Sequence, residues 1–234
     1  MVYQDYCPGC SHGLIQRIIW ETLGKNNLKE QSIGVYTNGC SKFISRHIPI
    51  DFIESPPGKA ASVATGIKRS CSDKIVFTYQ GDGDITTGLN SLMNAAIRGE
   101  KITVIFVNNC IQACTGGQMS LNTLVGQYTA TTPYGRSAEC FGKPARITEM
   151  VSKLPGVAYT QRISVHTPSH VKEAKIILKE AYDYQLEGKG LSFVEILALC
   201  PTYWAMTPLE ARQWLIEKVI VQYPLGLYKR TVAK

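Results

Sequence analysis

Gly81-Asp82-Gly83 closes one apolar run of the chain, and Asn108-Asn109 closes the next. A carboxylate and an amide oxygen delivered to neighbouring strand ends suit a hard divalent cation such as Mg2+, which takes oxygen donors and commonly shares them with a diphosphate. The flanking glycines let backbone come close to phosphate oxygens. Alone, Gly-Asp-Gly reads as a β-turn. Joined to Asn-Asn at the next strand end, it marks a candidate metal and diphosphate site.

Eight cysteines are many for a chain in a reducing compartment, where metal or redox chemistry is the first expectation. Cys7-Pro-Gly-Cys10 sets two thiolates for one metal or cluster, and Cys40 and Cys200 each follow an expected strand. Four thiolates complete a tetrahedral zinc site or a four-iron cluster, and spacing does not choose between them. A thioredoxin-like pair should follow a strand, and Cys7 lies too near the start for that. Thr115-Gly-Gly-Gln118 suits a loop lying against a flat ligand or a phosphate, and reads equally well as a plain glycine turn. Cys71 and Cys140 are expected to be free thiols without a role, and Cys110 and Cys114 to line a pocket rather than ligate. His47, His166 and His170 are expected to be structural or exposed.

The elements that must position these groups alternate. Apolar residues at helical spacing predict helices over 12–24, 60–68, 88–98 and 169–187, and a capping box at Thr207-Pro-Leu-Glu210 opens the last helix. Strands are predicted over 32–36, 74–79, 101–107, 159–165 and 191–199. The runs at 74–79 and 101–107 are almost wholly apolar, as in central parallel strands covered on both faces. Residues 110–150 show little periodicity, and an irregular stretch that long usually carries function. The pattern predicts an α/β fold with a doubly wound, mostly parallel sheet, in a single domain over 1–234 with an N-terminal Cys-x-x-Cys segment and a C-terminal helix and tail. Ligands of such sheets bind beyond the carboxyl ends of the strands.

Composition limits the function classes. The 234 residues are 44% hydrophobic and 18% charged, enough to bury a core. No apolar run approaches membrane-spanning length and no signal peptide is evident, so a cytoplasmic protein is expected. The net charge of +7 is scattered rather than clustered with aromatics, which argues for a solvated surface and against nucleic acid.

The motifs YCPGCSHG (6–13), TNGCS (37–41), VATGIKR (63–69), FTYQGDGD (77–84), VIFVNN (104–109), TGGQM (115–119), ALCPTYW (198–204) and YPLGLYK (223–229) cover nearly the whole chain. In order and spacing the chain resembles beta subunits of 2-oxoacid:ferredoxin oxidoreductases, above all the 2-oxoisovalerate enzyme. The resemblance implies a thiamine-diphosphate-binding fold, with Mg2+ held by Asp82, Asn109 and the carbonyl of Ile111. It implies a [4Fe–4S] cluster on Cys7, Cys10, Cys40 and Cys200, which settles the zinc alternative, and His12 as a catalytic residue. Gly39, Cys40, Lys59, Gly81, Asp82, Gly83, Asp84, Asn109, Ile111, Cys114, Thr115 and Gly116 would contact the cofactor, and Phe43 and Cys114 the substrate side chain. The implied reaction converts a branched 2-oxo acid and coenzyme A to acyl-CoA and carbon dioxide, with electrons leaving through the cluster to ferredoxin. An alpha subunit would complete the site by supplying the glutamate that activates the aminopyrimidine, with gamma and ferredoxin-like delta subunits beside it.

The chain departs from the family pattern at three places. Pro57-Gly58-Lys59 stands where relatives read His-Gly-Arg, Gln112-Ala113 replaces a Tyr-Gly pair, and Ser120-Leu-Asn-Thr123 replaces Ser/Ala-Pro-Thr-Thr. These changes favour, as alternatives, another 2-oxo acid substrate or a cluster-bearing electron-transfer or scaffold subunit with weakened thiamine chemistry. A non-oxidative decarboxylase has no need of four cysteines, and a zinc-stabilised binding protein would lack iron.

Overall fold

A computed structural model describes residues 5–231. In chain order the elements are α1 (His12–Lys25), β1 (Ser32–Thr37), α2 (Ile44–His47), β2 (Asp51–Ser55), α3 (Ala60–Ser70), β3 (Ile75–Gly81), α4 (Asp82–Arg98) and β4 (Thr103–Asn108). There follow α5 (Ala138–Phe141), α6 (Ile147–Ser152), β5 (Val157–Ser164), α7 (Pro168–Leu186), β6 (Leu191–Leu197), α8 (Pro201–Trp204), α9 (Pro208–Trp214), α10 (Ile220–Gln222) and β7 (Gly226–Arg230). A π-helical turn, Leu215–Val219, links α9 to α10.

The strands form one seven-stranded sheet in the order β2-β1-β3-β4-β6-β5-β7. Every neighbouring pair is parallel except β5 with β7. The expected doubly wound sheet is therefore present. One face carries Phe77, Tyr79, Ile105, Val107, Val194 and Ile196 against α1 and α7, through Ile15, Ile18, Ile19, Leu178 and Tyr182. The other face carries Val76, Val104, Phe106 and Phe193 against α3, α4 and α6, through Ala60, Ala64, Leu92, Ala95 and Val151. Burying each large side chain in these layers contributes about 1.5–3 kcal/mol. A third cluster, with Cys110, Ile111, Leu124, Cys200, Trp204, Leu215 and Tyr223, covers the carboxyl edge of the central strands.

Local signals set the boundaries. Thr167 caps α7 by accepting from the His170 N–H, with Pro168 in the first turn. The capping box at Thr207 and Glu210 is present at the start of α9. Gly99 ends α4 in the left-handed region at φ 66°.

Three expectations need correction. The helix expected from Gly88 begins at Asp82, so Gly-Asp-Gly is a strand-to-helix junction and not a free turn. Asp82 and Asp84 sit in its first turn, where a carboxylate is favoured by the helix dipole. Two strands, β2 and β7, were not anticipated. Both are sheet edges with largely exposed side chains, so neither shows a buried apolar run. The irregular stretch 110–150 contains the short helix α5 and the start of α6. It is tied down by the nearly buried Arg136, whose Nη1 donates to the carbonyls of Ser120, Leu121 and Thr123 at 3.2, 3.0 and 2.6 Å. No described helix is long and apolar enough to cross a membrane.

Candidate active site at the carboxyl edge of the sheet

Strands β1, β3, β4 and β6 are consecutive neighbours, so their carboxyl ends bring Gly39-Cys40, Gly81-Asp82, Asn108-Asn109 and Cys200 to one edge. Asp82 is 2% exposed, and its Oδ2 accepts the backbone N–H of Asn109 at 2.9 Å. Its Oδ1 accepts from the Asn122 side-chain amide. Burial pushes the Asp82 carboxyl up to about 7; hydrogen bonds from Asn109 and Asn122 oppose that rise and nearby Glu195 adds to it.

One end of the Asn109 amide faces Asp82 Oδ2 at 2.9 Å and the Ile111 carbonyl oxygen at 2.7 Å. Either orientation of an amide is chemically open until its neighbours decide it. With nitrogen inward, the amide donates to both acceptors. With oxygen inward, three oxygens converge, an arrangement that favours a cation between them. The buried carboxylate, which resists ionising alone, fits such a cation as its partner.

A cavity of about 220 Å³ opens at this edge. His12, Gly39, Cys40, Gly81, Asp82, Gly83, Asp84, Asn109, Ile111, Cys114 and Thr115 line it, so most of the expected site residues meet there. Gly116 follows in the turn closed by the Gln112–Gln118 bridge. Lys59 does not line the cavity. It is exposed at the start of α3, and Pro57 takes the lining place. Phe43 also lies outside the lining; its ring packs edge-on against Tyr6 at 5.5 Å. Asp84 is nearly buried and accepts from the Gly58 N–H and from Gln80 Nε2, so its charge is spent on structure.

His12 is buried, its Nδ1 2.6 Å from the Tyr79 hydroxyl, and desolvation lowers its pKa to about 4. At neutral pH the ring is therefore uncharged. Among the described residues, no lysine, arginine or glutamate lines the cavity.

The four expected cluster cysteines approach one another. Burial is the largest cause that pushes the Cys40 thiol pKa up, and Cys114, Cys10 and Cys200 add to it; Cys200 is pushed up to about 12 by burial, with Cys10, Asp82 and Cys7 contributing. Among the described residues, no three His, Cys, Asp or Glu close around a single ion. The Cys7–Cys10 turn is held by the Cys10 N–H on the Cys7 carbonyl at 3.0 Å. Gly9, at φ +76°, passes so close to Pro208 that a Cβ would lie 2.8 Å from its ring. Ser11 Oγ accepts from the Leu199 N–H at 2.9 Å, tying this segment to the strand end before Cys200. A larger cavity of about 830 Å³ lies beside the same segment, toward Arg17, Trp20 and Arg46, and not at Asp82.

Other candidates lie apart. Cys71 follows α3 and Cys140 is exposed on α5. Buried Cys110 turns its Sγ to Asn108 Oδ1 at 3.3 Å. His47 meets Gln16 and Asp5, and His166 packs on His170 at 4.2 Å. Sequence reasoning missed the polar residues behind the metal site: Asn122, Glu195 and Arg162, all at most 1% exposed. A glutamate inside LSFVEIL and an arginine inside VAYTQRIS were the available signals, since a charge in a buried strand needs a partner.

Comparison with known proteins places this geometry. The profile of the thiamine pyrophosphate enzyme C-terminal TPP-binding domain matches residues 35–196. Ketoisovalerate oxidoreductase subunit VorA of Methanothermobacter thermautotrophicus is 36% identical over 225 residues, covering 96% of this chain and 47% of the relative. The chain thus spans about half the length of that relative. 2-Oxoglutarate synthase subunit KorB of Methanocaldococcus jannaschii is 30% identical over 201 residues, covering 85% of this chain and 70% of KorB. In structure, the chain superposes on 2-oxoglutarate:ferredoxin oxidoreductase from Magnetococcus marinus with a TM-score of 0.80 at 21% identity, covering 100% of this chain and 83% of that one.

Proposed function

The chain belongs to the thiamine pyrophosphate enzymes, among the subunits of 2-oxoacid:ferredoxin oxidoreductases, and from that premise we propose that it is the beta subunit of an enzyme converting a branched 2-oxo acid and coenzyme A to acyl-CoA and carbon dioxide. The observation that carries the proposal is the meeting of Asp82, Asn109 and Ile111 with Cys40 and Cys114 in one cavity. Thiamine diphosphate, when bound, supplies the electron sink for decarboxylation, and a [4Fe–4S] cluster supplies an exit for single electrons.

The residues of this chain take the following parts. Asp82, Asn109 and the Ile111 carbonyl would hold Mg2+ and through it the diphosphate, with Gly83, Thr115 and Gly116 offering backbone room. Cys7, Cys10, Cys40 and Cys200 would hold the cluster. Support for iron over zinc is that the solved structure on which the chain superposes is a ferredoxin-linked oxidoreductase, whose chemistry needs an exit for electrons that zinc does not provide. His12 holds a neutral imidazole against the Tyr79 hydroxyl, so it brings a hydrogen-bonding ring to the cavity and no charge.

Two absences among the described lining residues bear on partners and substrate. No glutamate lines the described cavity, and the group that activates the aminopyrimidine would come from an alpha subunit, as the family resemblance implies. Without a lining cation, a distal carboxylate on the substrate would be buried unpaired, which is costly, whereas each buried methylene gains about 0.8 kcal/mol. Ala113 and Cys114 give that wall a small, weakly apolar surface. The full assembly would add gamma and ferredoxin-like delta subunits and pass electrons to ferredoxin, within the cytoplasm.

The test is steady-state reduction of ferredoxin by the reconstituted complex, with 2-oxoisovalerate and 2-oxoglutarate as rival substrates. The expected result is activity dependent on thiamine diphosphate, Mg2+ and coenzyme A, with kcat/KM at least roughly tenfold higher for 2-oxoisovalerate, equivalent to about 1.4 kcal/mol. Equal or better use of 2-oxoglutarate overturns the substrate assignment. Asp82→Ala should lose metal-dependent thiamine diphosphate binding while keeping its iron.

A further inference from the structure

Asn122 is 0% exposed, at a position where its burial needs a reason. Its Nδ2 reaches two acceptors, Asp82 Oδ1 and, at 2.5 Å, Asn108 Oδ1. Its Oδ1 accepts from Ser120 Oγ at 3.3 Å. The amide orientation is fixed by these partners: a carboxylate oxygen has no hydrogen to give, and Asn108 Oδ1 already accepts the Cys110 N–H at 3.0 Å. Asn108 in turn donates its Nδ2 to Glu195 Oε1 at 2.6 Å.

Glu195 is buried and anchored. Its Oε2 takes Arg162 Nε at 2.8 Å and the Thr148 hydroxyl. Arg162 is itself held by Glu149 and by the Tyr228 hydroxyl at 2.7 Å. The backbone of Asn122 is pinned as well, its carbonyl accepting the Tyr223 hydroxyl at 2.6 Å. A continuous set of buried hydrogen bonds therefore runs from the C-terminal segment to one oxygen of Asp82.

We propose that Asn122 is a positioning residue that makes Asp82 a one-oxygen ligand and so sets the choice of divalent cation. The inference rests on the metal site assigned above. Each Asp82 oxygen accepts one hydrogen bond, but only Oδ2 faces the Asn109 side chain and the Ile111 carbonyl, while Oδ1 is turned toward Asn122, so Oδ2 alone is presented to a cation among these groups. Mg2+ suits single-oxygen carboxylate ligation in a tight octahedron, whereas the larger Ca2+ readily takes both oxygens of one carboxylate. Removing the amide frees Oδ1, lets the carboxylate rotate, and opens the second mode. Hydrogen-bond partners behind metal ligands typically change metal affinity by roughly 10- to 100-fold.

The experiment measures Mg2+ and Ca2+ affinities by calorimetry with the reconstituted complex at saturating thiamine diphosphate, for the wild type, Asn122→Ala and Asn122→Thr. Both variants keep the carbonyl that Tyr223 binds, and apo thermal unfolding checks that each has folded. The expected result is Mg2+ binding weakened roughly tenfold or more in both variants, with Ca2+ binding equal or tighter, so that the Mg2+/Ca2+ ratio falls. A uniform loss of both cations would show a merely structural role and overturn the proposal, as would unchanged affinities. If the wild type binds neither cation with thiamine diphosphate, the metal site itself is wrong, and this inference falls with it.

Discussion

The indole N–H of Trp204 donates to the backbone carbonyl of Asn109 at 3.0 Å. The turn after Cys200 is thereby joined to the turn that carries the candidate metal ligands. Trp204 is nearly buried and its ring meets Trp214 at 4.4 Å, so the donor is held by packing as well as by its bond. The two halves of the proposed site are one mechanical piece.

Trp204→Phe should keep the apolar contact and lose the donor. The Asn109 carbonyl is then left without its partner in a buried place, at about 1–3 kcal/mol. Thermal unfolding with and without thiamine diphosphate and Mg2+ should show a lower apo midpoint and a smaller cofactor-induced rise. An unchanged cofactor-induced rise would mean the tie does not reach the metal ligands.

Serine at Cys7, Cys10, Cys40 or Cys200 should remove this chain's share of the iron and visible absorbance from the anaerobically purified complex. The same change at Cys71 or Cys140 should leave both intact, because those thiols lie apart from the set. Iron analysis decides this, and a full complement in Cys200→Ser would refute the ligand assignment.

Arg162→Met leaves Glu195 as a buried, unpaired carboxylate. Breaking one side of a buried pair typically costs 3–5 kcal/mol. Denaturant unfolding should show a loss of about that size, partly recovered when Glu195→Gln is added. No recovery in the double variant would mean that Arg162 acts through its packing on Tyr223 and Tyr228 instead.

Gly88→Ala tests the seat of the helix that begins at Asp82. A Cβ at Gly88 would lie 2.7 Å from the Gly58 backbone, where neither chain can yield without moving α3 from α4. Overpacking of this kind costs about 1–3 kcal/mol, and α4 begins at Asp82. Chemical denaturation should register that loss together with weaker thiamine diphosphate binding.

Asp82, Asn109, Cys40 and Cys200 were legible because each is a distinctive residue type just after an apolar run, and a parallel sheet sends such ends to one edge; Cys7 and Cys10 were legible only as a Cys-x-x-Cys pair. The start of α4 was not, since two glycines flank Asp82 and mask a helix that the sheet and a first-turn carboxylate stabilise. Phe43 was expected to face the substrate, yet its contacts with Tyr6, Lys42 and Arg46 depend on how the segment 40–47 coils, which residue spacing does not reveal. Arg162 and Glu195 face each other as register partners of β5 and β6. Their pairing became visible only once strand order and register were known. Asn122 lies in an aperiodic stretch, where no pattern predicts which side chain turns inward.

The strand order also governs when the site comes into being. β4 pairs with β6 across β5 and the helices α5, α6 and α7, and Cys7 is separated from Cys200 by nearly all of these elements in sequence. Contacts so distant in sequence form slowly and late in folding. While the polypeptide is still emerging, Cys7 and Cys10 stand alone, with half their partners unmade. Under the proposed function, iron and sulfur would be delivered to a chain whose sheet has already formed, so that cluster assembly would follow folding.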